Sequence, residues 1–322
     1  MRAFQVTSSG QQPLLTEIPC PVPGPGEILV RITACGLNFA DLLMIKGQYQ
    51  ETPEAPFTLG LEVAGIVEAL GPDTDGPAIG TRVAIFGGSG GLAEYGVFPA
   101  ERAVVVPDSM SDEIAAGFQV AYGTSHLAYA HRARLQPGEN LVVLGAAGGV
   151  GLTAVEIGKV MGANVIACAR GADKLAVAKA AGADHVLDTE TDNIRDTVKA
   201  LGGADVVYDP VGGDLFMDAF RACNPDARIL TIGFAGGQVP EPKLNHMLVK
   251  NITVIGFYWG GYLKFNPKAL TDSMAQLMLW HSEGKLRPHV SHVLPFDQAA
   301  EGLRLLKERK STGKIVIRVS DA

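Results

Sequence analysis

The spacing of hydrophobic and polar positions changes twice along the chain. Over roughly residues 1–107 the apolar residues fall in short β-favouring runs. These are Phe4-Gln5-Val6, Glu27-Ile28-Leu29-Val30-Arg31-Ile32, Ala64-Gly65-Ile66-Val67-Glu68-Ala69, Arg82-Val83-Ala84-Ile85-Phe86 and Ala103-Val104-Val105-Val106. Pro23-Gly24-Pro25-Gly26, Gly71-Pro72 and Gly87-Gly88-Ser89-Gly90-Gly91 punctuate them. Many short strands with such turns predict a partly closed, barrel-like β domain, with one short helix over 39–46.

From about residue 111 to 257 strands and helices alternate. Strands are predicted over 140–144, 164–169, 185–187, 205–209, 228–232 and 252–255, with helices over 152–161, 174–181, 193–200 and 215–223. This α/β pattern predicts a doubly wound parallel sheet. The tail is mixed: helices over 267–283 and 297–309, and strands over 292–294 and 314–319. It is expected to complete the β-rich domain, which makes that domain discontinuous. The expected division is 1–120 with 263–322 for one domain and 121–262 for the other.

The richest stretch is Leu141-Val142-Val143-Leu144-Gly145-Ala146-Ala147-Gly148-Gly149-Val150-Gly151. An apolar strand enters a glycine turn that opens a helix, and a second strand follows to complete a βαβ unit. A dinucleotide phosphate site needs this order. The turn must be tight, the backbone must approach the pyrophosphate closely, and the helix N-terminus offers N–H groups to the anion. Gly145, Ala147, Gly148, Gly149, Val150 and Gly151 are therefore candidate cofactor contacts. An NAD site usually has Asp or Glu at the end of the second strand. Here Arg170 stands nineteen positions after Gly151, and Lys174 follows one helical turn later. A planar guanidinium and an ammonium suit a ribose 2′-phosphate, so NADPH is expected.

Composition narrows the alternatives. The chain has 322 residues, 47% hydrophobic and 19% charged, with a formal net charge of −7 and no basic tract. Nucleic acid and anionic membranes are not expected partners. The stretch 114–130 lacks Asp, Glu, Lys and Arg but holds Gln119, Ser125 and His126, and is too short and polar for a membrane span. The N-terminus reads as a strand, not a signal peptide, so a cytoplasmic location is expected. Four cysteines are scattered with no C-x-x-C pair, which suggests neither a disulfide framework nor a structural zinc site.

Several stretches together carry a resemblance. They are Cys35-Gly36-Leu37-Asn38-Phe39-Ala40-Asp41, Leu59-Gly60-Leu61-Glu62-Val63-Ala64-Gly65, Ala121-Tyr122-Gly123-Thr124-Ser125, Asp209-Pro210-Val211-Gly212-Gly213 and Ser311-Thr312-Gly313-Lys314, with the glycine turn. Over essentially its whole length the chain resembles the zinc-independent quinone oxidoreductase branch of the medium-chain dehydrogenase/reductase superfamily. That implies a Rossmann-type sheet plus a discontinuous, GroES-like catalytic domain. In the superfamily's metal-dependent alcohol dehydrogenases a cysteine stands at the position of Asn38 and a histidine at that of Leu61. Asn and Leu cannot replace those ligands, so no metal is expected.

By resemblance, Asn38 and Tyr49 are the candidates for the substrate oxygen: Asn38 donating a side-chain N–H, Tyr49 hydrogen-bonding and delivering a proton. Simpler roles stand beside these, a helix N-cap for Asn38 and a loop tyrosine for Tyr49. Tyr122 and Thr124 resemble residues near the nicotinamide, Gly233 and Phe234 end a strand at the ligand edge of the sheet, and Lys314 resembles a family lysine near the cleft. Many relatives carry Asn-Tyr where this chain has Asp188-Thr189, which removes one cofactor contact and adds a carboxylate. By resemblance, the aromatic segment 251–262 pairs as an edge across a homodimer, lines the substrate cleft, or does both.

Without a Lewis acid, hydride transfer to an electron-poor π system is easier than deprotonation of an alcohol. The expected activity is NADPH-dependent reduction of a quinone. Reduction of an enone or enoyl thioester, and a non-enzymatic role as an NADPH-binding sensor or structural protein, are the alternatives.

Overall fold

The structure is a computed structural model that describes residues 1–320. In chain order the first elements are β1 (Arg2–Val6), β2 (Leu14–Glu17), β3 (Glu27–Gly36), α1 (Phe39–Ile45), β4 (Phe57–Thr58), β5 (Glu62–Leu70), β6 (Arg82–Phe86), β7 (Tyr95–Pro99), β8 (Ala103–Val105) and α2 (Asp112–Ala116). The five β-favouring runs of the sequence all become strands. β2, β4 and β7 were not anticipated. β2 is mostly exposed and β4 has only two residues, so neither carries a buried period that a pattern could reveal.

α3 (Gln119–Leu127) leads into the alternating region. There follow β9 (Asn140–Leu144), α4 (Gly149–Val160), β10 (Asn164–Ala169), α5 (Ala172–Ala180), β11 (His185–Asp188), α6 (Ile194–Ala200), β12 (Ala204–Asp209), α7 (Gly213–Ala222), β13 (Cys223–Thr231), α8 (Leu244–Lys250), β14 (Thr253–Gly256), α9 (Tyr262–Phe265) and α10 (Pro267–Ser282). The six strands form one parallel sheet in the order β11-β10-β9-β12-β13-β14. The order reverses direction between β9 and β12, where ligands bind beyond the strand ends in such sheets. Helices on both faces explain why β9 and β10 read as unbroken apolar runs and not as alternating ones. Val142, Leu144, Ile166, Val207, Phe216, Phe220 and Ile229 are buried in one core beside the sheet.

The tail adds β15 (Val290–Pro295), α11 (Ala299–Lys307) and β16 (Lys314–Arg318). They return to the first sheet, ordered β15-β16-β3-β5-β6-β8 with β7 also on β3. The chain therefore divides into two compact units, Met1–Val120 with the chain from Pro288 onward, and Ala121–Arg287. The second crossing lies at 287/288, beyond the expected 262/263, because α10 belongs to the dinucleotide-type unit. His126 on α3 holds it there: its Nδ1 is 2.8 Å from Ser273 Oγ, and its ring meets Trp280 edge-on. Phe257 and Trp259 of the aromatic segment are buried within the same unit, and a Cβ at Gly123 would collide with the Trp259 indole. Among the described residues no helix is long and apolar enough to cross a membrane.

Both tryptophans, Trp259 and Trp280, lie in the second unit, so their fluorescence reports its unfolding alone. Phe216 is 1% exposed in that core. Phe216→Ala is expected to lower the unit's stability by about 3–5 kcal/mol in urea titrations; a loss below ~1 kcal/mol contradicts the packing described.

Candidate cofactor and substrate sites

In the second unit, the glycine turn follows β9 at the point where the strand order reverses. Gly145 has φ +60°, and a Cβ on Gly151 would run into the Gly145 carbonyl oxygen. Both positions therefore require glycine. The Gly148 N–H closes the turn on the Gly145 carbonyl at 3.0 Å, and Gly148 is the N-cap of α4. No side chain caps that helix, and its first turn holds no acidic residue. The leading N–H groups of a helix have no intrahelical acceptor, so this end is left for an anion. Gly148 is exposed, Gly149 and Val150 are half-buried, and Ala147 is covered by protein. This cradle fits a dinucleotide pyrophosphate.

A polar cluster beneath the turn holds it in place. Ser125 Oγ lies 3.1 Å from the Val150 carbonyl, 2.9 Å from Thr153 Oγ1 and 3.1 Å from the Tyr208 hydroxyl. Thr153 Oγ1 also donates to the carbonyls of Ala121 or Val150, each at 3.0 Å. α3, the start of α4 and β12 are thus joined by three buried hydroxyls. No local sequence pattern reveals this cluster, although Ser125 belongs to the Ala121-Tyr122-Gly123-Thr124-Ser125 stretch. The Tyr122 hydroxyl turns to α4 and donates to Glu156 Oε2 at 2.5 Å. Burial raises the Glu156 carboxyl, and burial with Glu156 raises Tyr122. The hydroxyl expected near a nicotinamide is thus engaged by α4, and the Tyr122 ring is buried. Thr124 is buried too.

Beyond β12, Asp209 Oδ1 accepts from the N–H groups of Val211 and Gly212 at 2.8 and 2.9 Å. The Val211 methyls face Gly145. Gly233 donates to the Asp209 carbonyl at 3.3 Å, which sets Gly233 and the partly exposed Phe234 at this same sheet edge. Arg170 follows β10 and Lys174 lies in the first turn of α5.

In the first unit, the structure brings together two residues that are 276 positions apart. Lys314, at the start of β16, donates from Nζ to the Leu37 carbonyl (2.8 Å), Asn38 Oδ1 (2.8 Å) and Glu62 Oε1 (2.7 Å). Its side chain is 7% exposed and that of Glu62 1%. All three ammonium hydrogens are used. An ammonium has only donors, so it fixes the Asn38 oxygen toward itself. Asn38 Nδ2 then donates to Glu62 Oε1 at 3.0 Å and to the Gly36 carbonyl at 3.2 Å. Glu62 Oε2 takes the Val120 N–H at 3.0 Å. Both amide hydrogens of Asn38 are spent inside the protein, so the expected donation to a substrate oxygen is not open in this arrangement. What Asn38 retains is acceptor capacity on Oδ1. It also stands at the N-cap of α1, the simpler of its two expected roles.

Asp41 lies beneath. Its carboxylate accepts from the Asn38 N–H (2.7 Å) and the Gly60 N–H (3.2 Å). Burial pushes the carboxyl up to about 7, although the Asn38 N–H, Lys314 and the Gly60 N–H pull it down; Glu62 adds to the rise. Burial, then Asp41 and Glu62, raises the Cys35 thiol well above its usual range, which leaves an inert side chain. Tyr49 lies half-buried in the turn after α1, where Thr52 Oγ1 donates to its carbonyl at 2.8 Å.

The chain matches the alcohol dehydrogenase GroES-like domain over residues 24–108 and the zinc-binding dehydrogenase family over 149–278. It is 37% identical over 300 residues to the quinone oxidoreductase-like protein 2 homolog of Nematostella vectensis, covering 91% of this chain and 82% of that protein. The chain belongs to the quinone oxidoreductase branch of the medium-chain dehydrogenase/reductase superfamily. Among solved structures it resembles Thermus thermophilus quinone oxidoreductase, determined alone and with NADPH, at TM-score 0.88 and 33% identity, covering 99% of this chain and 100% of that one. The Escherichia coli quinone oxidoreductase complexed with NADPH gives TM-score 0.91 at 25% identity, with 99% of each chain covered.

The zinc of the matched family's description does not fit the residues here. At the two ligand positions stand Asn38, whose oxygen already holds an ammonium, and the apolar, buried Leu61. Among the described residues no group of three or more His, Cys, Asp or Glu could hold a metal ion.

Removing one partner of a buried ion pair strands the other charge. Lys314→Met is expected to cost about 3–5 kcal/mol, and Glu62→Gln in the same chain to restore much of it. A single-variant loss below ~1 kcal/mol in thermal or chemical denaturation contradicts the network. Asp41 gives a pH signature of definite sign. Its carboxyl rises from 3.8 to about 7 on folding, so between these values the folded protein holds a proton that the unfolded chain releases. The stabilisation is complete below the unfolded value and is lost as pH rises through about 7, with a slope of up to ~1.4 kcal/mol per pH unit. Asp41→Asn is expected to remove that slope from a stability profile taken between pH 4 and 8; an unchanged slope contradicts the assignment.

Proposed function

We propose that the protein is an NADPH-dependent reductase that passes hydride, without a metal, to an electron-poor conjugated acceptor, a quinone in the first instance. The observation that carries this reading is the uncapped N-terminus of α4, reached through a glycine turn at the reversal of strand order. The relatives named above supply the acceptor class.

Bound in this way, NADPH supplies the hydride. The Gly145–Gly151 turn binds the pyrophosphate through backbone N–H groups, and the Ser125–Thr153–Tyr208 cluster keeps it rigid. Arg170 and Lys174 take the 2′-phosphate. Gly233 and Phe234 flank the cofactor at the strand ends. In the first unit Lys314 and Glu62 orient Asn38, whose oxygen accepts from a hydroxyl of the reduced acceptor. The Tyr49 hydroxyl takes over the donor role expected of Asn38 and meets the developing oxyanion. The open side of β14, at the end of the parallel sheet, is the proposed edge for a second copy in a cytoplasmic homodimer.

The test is NADPH oxidation by the purified protein with 1,4-benzoquinone, 9,10-phenanthrenequinone and an enone. Quinone turnover is expected, with Tyr49→Phe lowering kcat by roughly tenfold or more while the NADPH dissociation constant stays unchanged. Turnover of the enone alone contradicts the quinone assignment, and NADPH binding with no turnover on any acceptor favours a sensor.

A further inference from the structure

β10 and β11 end side by side, with Ala169 paired to Asp188. The loops beyond them are tied together. Asp188 Oδ1 accepts from the Gly171 N–H at 3.2 Å and from the Glu190 N–H at 3.0 Å, and the Thr189 N–H donates to the Ala169 carbonyl at 2.9 Å. Asp188 is thus the residue that closes this corner, and it does so by turning its carboxylate onto backbone. The tie brings Glu190 beside Arg170, with Oε1 3.3 Å from Nε.

Both side chains are well exposed, at 60% and 58%, so the pair contributes little to stability. Its position gives it a different importance. A guanidinium meets carboxylate and phosphate through the same planar fork of N–H donors, and a carboxylate on it must move or share when a phosphate arrives.

We propose that Glu190 is a built-in competitor for Arg170, and so a determinant of the preference between NADPH and NADH. The inference rests on the reading that Arg170 takes the 2′-phosphate. A 2′-phosphate has to displace the carboxylate and then tolerate a like charge beside it. A cofactor with a bare ribose hydroxyl meets neither obstacle, since a hydroxyl donates readily to a carboxylate. Glu190 therefore holds selectivity for NADPH below what Arg170 and Lys174 alone would give.

The experiment measures dissociation constants of NADPH, NADH and 2′,5′-ADP on the full chain, for the wild type, Glu190→Gln, Arg170→Ala and the double variant, at low and high salt. Glu190→Gln is expected to tighten NADPH and 2′,5′-ADP by roughly three- to tenfold and NADH by less than about twofold. The gain should shrink as salt rises and vanish when Arg170 is alanine. If Arg170→Ala weakens NADPH selectively while Glu190→Gln leaves the NADPH-to-NADH ratio unchanged, the competitor role is wrong and the 2′-phosphate reading stands. A gain that persists without Arg170 also overturns the role. If Arg170→Ala affects both cofactors equally, the reading of Arg170 falls, and the inference with it.

Discussion

One buried ammonium ties the ends of the first unit together. Lys314 comes from the last strand of the chain, yet all three of its hydrogens are spent on Leu37, Asn38 and Glu62, more than 250 positions earlier. A carboxylate as buried as Glu62 is tolerated only with a charge partner and full hydrogen bonding, and here it has both. A Cβ at Gly117 would crowd the Lys314 stem, and one at Gly36 would strike the Ala116 carbonyl. Gly117 thus makes room for the Lys314 stem, and Gly36 for the close approach of α2. The consequence of the network reaches the proposed substrate contact, because the ammonium decides which atom of Asn38 remains available.

The two units use polar burial for the same purpose by different means. In the first, charges orient an amide; in the second, three neutral hydroxyls brace the glycine turn. Hydroxyls suit the turn proposed to bind a pyrophosphate, because they stiffen the backbone without adding a charge beneath it. The uncapped N-terminus of α4 then presents the positive end of its dipole.

What was legible in the sequence followed the range of the interactions. The parallel sheet was legible because buried strands such as β9 and β10 are unbroken apolar runs, and the glycine turn because its geometry depends on residues a few positions apart. The mixed pattern of the tail pointed to the discontinuous domain, and the resemblance added its GroES-like character. The hydrogen-bond partners of the Asn38 amide and of the Tyr122 hydroxyl were not legible. Each group is held by a partner far along the chain, Lys314 and Glu62 for Asn38 and Glu156 for Tyr122, and no local pattern encodes such a pairing. The boundary after α9 differs for a related reason: α10 is held by His126, which meets Ser273 and Trp280 of that helix, a contact invisible to composition. Arg170 was readable as a cation at the end of the second strand of the βαβ unit, whereas Glu190 beside it emerged only once two loops were brought together.

The proposed hydride transfer is supported by hydrogen bonds and a fixed ammonium network, without a metal. Single-turnover reduction of 1,4-benzoquinone, followed by NADPH absorbance after exhaustive chelation, tests it most directly when run with NADPH and with NADPH deuterated at the transferring position. One NADPH is expected to be consumed per hydroquinone formed, at a rate slowed by deuterium and indifferent to chelator. A reaction abolished by chelation and restored by zinc would contradict transfer without a metal.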